Sequence, residues 1–388
     1  MRSTLPPVLP LGTNWFPSTG PATAPLTWLL HGVWRAANRD AGLSPPALDV
    51  DDLNAALGRP FLLCAVPGES DVERWAAYGQ DAFLVEVGRL FGLAVREIHP
   101  PEAARGLERA AEFAQHFEAS YLPLVLRALE HDQPVLAWTG PLDDPAQRAR
   151  LRTAIEPRAS ARAVPPDGDG ATVAPSTWVL IDRTATTGLG LAGVRLEPTG
   201  ATDRQGVVGL TTVPVALSRP PIQLYVIEEC RPVAPEPAVL LAAALEHARR
   251  LLAREFDTRF GVLTGPAALD EWSQRLRAKT PSEPAAQIHA GLAATVVAGA
   301  RSGERFLQRQ VTLAPAPERP LLTTLAGACA QLAEALADFA GPAGAAALTH
   351  ASPAWTRFAE ALATARAACL QMLTALQSWH ARGPTQRP

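Results

Sequence analysis

The sequence has few cysteines, and they lie far apart. Its 388 residues include four cysteines, whereas disulfide frameworks and structural zinc sites show close, paired cysteine spacings. The pattern therefore predicts buried thiols in a reducing compartment, with no disulfide bond and no metal site. The four residues are Cys64, Cys230, Cys329 and Cys369.

An excess of positive charge is also missing. The formal net charge is −3 and the pI is about 6.3, whereas nucleic-acid binding needs clustered cations. We therefore expect no nucleic acid among the partners. Lys279 is the only lysine, so 34 of the 35 basic residues (35 − 1) are arginines. This bias, with abundant alanine and proline, is typical of a GC-rich genome and carries no functional information.

Long apolar runs are missing as well. A membrane-spanning helix needs ~18 uninterrupted apolar residues, and the closest stretch, residues 285–300, is interrupted by Gln287 and His289. The first residues lack the continuous apolar core of a signal peptide. The sequence therefore predicts a cytoplasmic protein with no membrane partner.

The length and the apolar patterns predict two parts. A chain of 388 residues favours two domains. Helix and strand patterns both occur up to residue 231, whereas only helical patterns follow it. We therefore expect an α+β domain with an antiparallel sheet at 1–231 and an all-α helical domain at 232–388. Within the first domain, residues 155–175 are rich in proline and glycine and predict a loop insertion.

Local patterns place the helices and strands of the first part. Residues 27–40 have helical spacing, and Asp49 is placed to cap the short helix that follows. Residues 70–92 and 102–131 also have helical patterns, and Pro123 should interrupt the second of them because proline lacks an N–H donor. Strands are predicted at residues 61–66, 94–99, 134–140 and in four segments between 176 and 229.

The glycine-rich segment GLGLAG, residues 188–193, is the nearest approach to a nucleotide-binding loop. It lies between two predicted strands, so the helix N-terminus that would bind phosphate is missing. We therefore expect no nucleotide-binding loop there and no cofactor.

Three segments resemble a known family. STGPAT (18–23) precedes the first helix, RALEHDQPVLAWTG covers 127–140, and STWVLIDRTATTG covers 176–188. With the order of elements, they resemble the papain-like, C39-type cysteine-peptidase fold, in particular a bacterial group related to the N-terminal domain of butirosin-type acyltransferases. The resemblance covers residues 15–230. It implies a cysteine nucleophile at the start of the first helix and a histidine base at the start of the strand within 176–188.

Both catalytic positions implied by the resemblance hold other residues. Thr19 stands where the family has its cysteine, and Thr177 and Trp178 stand where it has its histidine. No histidine occurs between His131 and His247. Because a hydroxyl without an adjacent base is a poor nucleophile, we expect a catalytically silent relative that binds a small molecule or a protein.

A pocket on such a scaffold would lie near the former nucleophile position. Tryptophans supply large apolar surfaces with one polar group, which suits them to line ligand sites as well as cores. The pocket candidates are Gly20, Trp28, Trp138, Thr177 and Trp178.

A second hypothesis keeps catalysis. Thr19 or Ser18 would act as the nucleophile of a hydrolase or acyltransferase, and His31 or His131 would act as the base of a relocated dyad. Against this, His31 is also explained as a polar residue on a helix face. His131 is also explained by its position at a helix C-terminus, where a histidine is favourable.

A third hypothesis is a helical assembly or scaffold protein. One face of a predicted C-terminal helix carries an apolar stripe with helical spacing, which packs either within the chain or in a homodimer. The stripe consists of Leu325, Cys329, Leu332, Leu336 and Phe339.

Overall fold

Most of the strand segments predicted for the first part form one antiparallel sheet in a computed structural model of the chain. The structure describes residues 19–21, 25–40, 49–67, 75, 78–98, 110–139, 178–186, 188–199, 207–217, 220–231, 233–255, 261–278, 283–350 and 352–381. Mixed helix and strand content followed by a helical C-terminal region confirms the α+β prediction. The predicted insertion at 155–175 lies outside the described residues.

Seven strands form the main sheet, in the order β1-β7-β6-β5-β4-β8-β3, with every neighbouring pair antiparallel. Two further strands, β2 and β9, pair with each other. The strands are β1 (Thr19–Pro21), β2 (Cys64–Ala65), β3 (Leu93–Glu97), β4 (Val135–Trp138), β5 (Trp178–Thr184), β6 (Leu191–Thr199), β7 (Val207–Ala216), β8 (Gln223–Cys230) and β9 (Leu263–Thr264).

Successive side chains of the central strands enter two different cores, because a strand points them to alternate faces. In β4, Leu136 and Trp138 join the large core, whereas Val135 and Ala137 join a smaller one. Both faces of the sheet are therefore covered, which explains why β4 is a continuous apolar run.

Two helices follow β1 on the large-core face of the sheet. Helix α1 (Pro25–Asp40) is buried from residue 26 to residue 34, and α2 (Val50–Ala56) follows it. The Asp49 carboxylate accepts a hydrogen bond of 2.9 Å from the Asp51 backbone N–H, so the predicted cap is confirmed. This bond satisfies one of the backbone donors that a helix start leaves open.

The smaller core is covered by a broken helix. Helix α4 (Ala110–His116) passes through a π-helical segment, Phe117–Tyr121, into α5 (Leu122–Glu130). The break comes directly before Pro123, which has no N–H for an intrahelical bond. The predicted interruption is confirmed.

Two local predictions were wrong in extent. Where the structure describes the helix expected over 70–92, it has α3 (Leu84–Leu90) with turns at 78–83 before it, and residues 70–74, 76 and 77 lie outside the described part. Gly79 has a φ of 68°, a left-handed conformation that ends regular helix. The strand expected at 61–66 is limited to β2. Its first residue belongs instead to a 3-10 turn, Arg59–Phe61, which has Pro60 near its N-terminus.

The C-terminal region is helical, as predicted, and its stripe is buried within the chain. The five stripe residues are at most 7% exposed. The helices are α6 (Pro237–Ala253), α7 (Pro266–Ala278), α8 (Glu283–Leu313), α9 (Arg319–Ala337), α10 (Gly341–His350) and α11 (Ser352–Ala381).

Helix α9 has the length and apolar composition of a membrane-spanning helix. Its stripe faces the large core, which also contains Phe306 of α8 and Phe358 of α11. Because a core helix meets the same criteria, we interpret α9 as a helix of the protein interior. The cytoplasmic location stays a prediction.

One apolar core extends through the sheet-containing part and the helical part. It contains Trp28 and Trp178 from the first part together with Leu251 and Phe306 from the second. The division into domains at residue 231 stays a prediction.

A buried polar group, which we call the Asp51 cluster, joins α2 to α8. It comprises Asp51, Asn54, Ser302 and Arg305. The Asp51 carboxylate accepts hydrogen bonds from Ser302 Oγ at 2.7 Å and from Arg305 Nε and Nη2 at 2.9 and 3.0 Å. Asn54 Nδ2 donates to Ser302 Oγ at 2.9 Å. The cluster therefore fixes the position of α2 on the helical part.

Candidate functional site

A cavity lies where the two parts meet, beside the 3-10 turn at Arg59–Phe61. Its volume is about 30 Å³. Sites for small molecules are often found at such junctions, with apolar walls and few polar groups. The walls come from six segments: residues 59–64, then Trp75 with Tyr78, Leu252 of α6, Leu292, Thr295, Val296 and Gly299 of α8, Leu332 of α9, and Cys369 and Met372 of α11.

Arg59 is the charged residue of this lining and is 5% exposed. Burial lowers the pKa of its guanidinium to about 10, because desolvation disfavours the charged form, while Cys64 and Asp81 oppose that shift. At neutral pH the group therefore remains a cation. Tyr225 donates a hydrogen bond of 2.5 Å to Asp81, which holds that carboxylate in place.

Trp75 supplies a second donor to the lining. It is fully buried, and within the described part of the chain its Nε1–H has no hydrogen-bond partner. A buried indole N–H normally has one. Thr295, also in the lining, donates its hydroxyl proton to Gly291 O at 3.1 Å, which leaves its oxygen as an acceptor.

The volume limits what the cavity holds. A water molecule needs about 10 to 15 Å³ on this measure, so 30 Å³ corresponds to two or three waters. Ligands of three or four heavy atoms fit the cavity as it stands, and larger ones require its walls to move.

Two alanine substitutions in α8 test how closely the 3-10 turn packs on this helix. A Cβ at Gly299 would lie 3.6 Å from Pro60 O, an ordinary contact, whereas one at Gly303 would lie 2.9 Å from Pro60 Cβ. We expect Gly299→Ala to stabilise the protein by up to about 1 kcal/mol through helix propensity. We expect Gly303→Ala to destabilise it by about 1 kcal/mol, because overpacking outweighs that gain. Urea unfolding measures both, and shifts of the same sign would contradict the packing.

The structure separates the residues of the predicted dyad. Thr19 and Gly20 lie in β1, where Thr19 is paired with Gly209 of β7, and α1 begins six residues later at Pro25. The resemblance implied a nucleophile at the helix start itself. Ser18 and Thr177 lie outside the described residues.

The two candidate bases lie on opposite sides of the sheet. His31 is 6% exposed on α1, which packs on the large-core face. His131 caps α5, which packs on the other face, and its exposed ring contacts Arg127 O at 2.7 Å through Nδ1. That contact matches the helix C-terminal role and holds the His131 ring on α5, on the side of the sheet away from α1.

The three tryptophans among the pocket candidates are brought together, but in the core. Trp28, Trp138 and Trp178 are at most 1% exposed and belong to the same apolar cluster. Trp138 and Trp178 are directly paired across β4 and β5. Tyr78, which lines the cavity, makes an edge contact with Trp138 at 5.6 Å between ring centroids. The tryptophan cluster therefore forms a support for one cavity wall.

The four cysteines are free thiols; Cys64, Cys329 and Cys369 are buried, and Cys230 is half-buried. Burial raises the pKa of Cys64, Cys230 and Cys369 to about 12, and it raises that of Cys329 further. Because the thiolate is the nucleophilic form, these thiols are inert toward acyl groups at neutral pH.

The sequence interpretation missed Arg59. Its only signal was an arginine between two apolar segments, in ALGRPFLLCAV, and arginine is ordinarily exposed. No protein-family model matches this sequence, and no curated protein matches it.

Proposed function

We propose that this chain is a non-catalytic binding protein that holds a short anion in the cavity at the junction of its two parts. The observation that carries the proposal is the buried guanidinium of Arg59 in an otherwise largely apolar cavity. A buried cation is costly unless an opposite charge and hydrogen-bond acceptors surround it.

The chemistry of the lining favours a carboxylate or a similar planar anion. A guanidinium has five N–H donors, so it can serve the Asp81 carboxylate and a ligand at once. The Trp75 indole N–H offers another donor, and the apolar walls suit a small hydrocarbon group. With room for three or four heavy atoms, formate and acetate are the simplest ligands of this class.

The proposal places this binding site on a papain-like scaffold that has lost its dyad. A buried α1 packed against an antiparallel sheet supports that resemblance. The start of α1 at Pro25, rather than at Thr19, supports the loss of the helix-end activation that a nucleophile would need. The separation of His131 from α1 by the sheet supports the same conclusion.

Titration calorimetry of the full chain with formate and acetate tests the binding site. We expect saturable binding of both anions and none of formamide or acetamide, which have the same shape without the charge. Arg59→Met should weaken anion binding at least about tenfold, because a hydrogen bond to a charged group contributes about 1.5 to 3 kcal/mol. Arg96→Met is the matched control, since Arg96 is an exposed arginine of β3 paired with Glu228.

Two results would contradict the proposal. Equal anion binding by wild type and a folded Arg59→Met variant would remove Arg59 from the site. A burst of nitrophenol from p-nitrophenyl acetate that disappears in Thr19→Ala would show that acyl transfer survives, because such a burst reports a covalent intermediate.

A further inference from the structure

Helix α8 contributes one polar side chain to the lining of the junction cavity, that of Thr295. Leu292, Thr295, Val296 and Gly299 of the lining have helical spacing, so they form one face of the helix. Thr295 Oγ1 donates its proton to Gly291 O, one turn earlier, at 3.1 Å. Because that proton is engaged, the hydroxyl oxygen can serve a group in the cavity only as a hydrogen-bond acceptor.

The main chain at Arg59 reaches the same face of α8. A Cβ at Gly299 would lie 3.6 Å from Pro60 O and 3.7 Å from Arg59 O, so the 3-10 turn rests on the helix at this glycine. Gly299 follows Thr295 by four residues, which is about one helical turn, or about 5.4 Å along the axis. In a cavity of about 30 Å³ that both Arg59 and Thr295 line, one small ligand can therefore meet both residues.

The lining makes two opposite demands on such a ligand. Arg59 is a buried cation, and the Trp75 indole N–H is a buried donor with no partner in the part of the chain that the structure describes. Both favour oxygen atoms that carry negative charge. Thr295 Oγ1 instead favours a donor. Formate and acetate meet the first demand and leave the second unmet.

We propose that the ligand of this cavity is a planar monoanion that carries its own hydrogen-bond donor, of which bicarbonate is the simplest. The inference rests on the proposed function, since it assigns the anion of the same site. Bicarbonate has four heavy atoms and therefore fits the cavity without movement of the walls. Its charged oxygens accept hydrogen bonds from Arg59 and Trp75, and its O–H donates to Thr295 Oγ1. Binding makes and breaks no covalent bond.

The test compares bicarbonate with acetate and nitrate, which are planar monoanions with the same number of heavy atoms and no O–H group. Titration calorimetry of the full chain, in mildly alkaline buffer, measures the dissociation constant of each anion. Thr295→Val removes the acceptor and keeps the branched shape of the side chain. We expect this variant to lose about fivefold in affinity for bicarbonate relative to acetate and nitrate, which is the effect of one net hydrogen bond. Differences in the hydration of the free anions cancel when variants are compared.

Thr323→Val is the matched control. Thr323 is exposed on α9, and its hydroxyl also donates to a backbone carbonyl four residues earlier, that of Arg319, at 2.8 Å. This variant loses the same kind of helix hydrogen bond and should keep the wild-type preference among the anions. Thr295→Ser, which keeps the hydroxyl, should keep it too. Thr295→Ala replaces the valine variant if that variant does not fold.

The outcomes separate this inference from the proposed function. If a folded Thr295→Val or Thr295→Ala variant binds the anions with the wild-type preference, the assignment of bicarbonate is overturned and the anion site stands. If the wild type binds none of the three anions, the anion site is overturned and the assignment with it.

Discussion

Replacement of Asp51 by alanine is expected to destabilise the protein by about 3 kcal/mol, because it breaks a largely buried ion pair by removing one partner. The Asp51 side chain is 10% exposed and accepts three hydrogen bonds, from Ser302 and twice from Arg305. Arg305 is 21% exposed, so water replaces part of the loss. We therefore expect the lower end of the usual range for such a change.

Urea unfolding followed by circular dichroism measures this effect, with Asp52→Ala as the matched control. Asp52 pairs with Arg309, whose side chain is 38% exposed, and burial raises the pKa of Asp52 against the opposing effect of that arginine. The pair therefore contributes little, about 1 kcal/mol at most. Asp51→Asn keeps an acceptor for Ser302, so its loss of unfolding free energy should lie between those of the two alanine variants. An Asp51→Ala variant as stable as Asp52→Ala would show that the Asp51 cluster does not hold α2 on α8.

Gly193→Ala is expected to cost about 3 kcal/mol, at the upper end of overpacking effects, because the obstacle is backbone rather than side chain. A Cβ at this position of β6 would lie 1.9 Å from Leu180 O and 2.8 Å from Ile181 Cα of β5. The register between β5 and β6 shifts at this point, so the two strands approach closely there. The sheet would have to open to admit the methyl group.

Gly209→Ala in β7 is the matched glycine of the same sheet. There the nearest atom to a new Cβ is Thr199 Oγ1 at 2.6 Å, and Thr199 is an exposed side chain that can rotate away. We expect a change within about 0.5 kcal/mol. Equal unfolding midpoints for the two alanine variants would mean that β5 and β6 do not approach as the structure has them.

The fold was predictable from sequence where a single local signal decided it. The short apolar runs of β4 and β5 specified strands, and Pro123 specified the break between α4 and α5. The short extent of α3 was not predictable, because the apolar pattern of residues 70–92 continues through the turn that Gly79 begins. A pattern of apolar residues shows which side chains are buried and does not show the conformation of each peptide.

The candidate site was not predictable, because its residues are joined only by the tertiary fold. Arg59 meets Val296 and Met372 in one cavity across more than two hundred residues of chain. Cys329 and Met372 are 43 residues apart and adjacent in space. Only the pairing of α9 with α11 brings these two sulfur atoms together.

A crystal of the full chain soaked in sodium bromide tests the central claim most directly, because bromide is an anion that anomalous scattering locates. We expect a bromide peak inside the cavity, within hydrogen-bonding distance of the Arg59 guanidinium, which is lost in crystals of Arg59→Met. A cavity that holds no anion, with bromide bound only at surface arginines, would contradict the account.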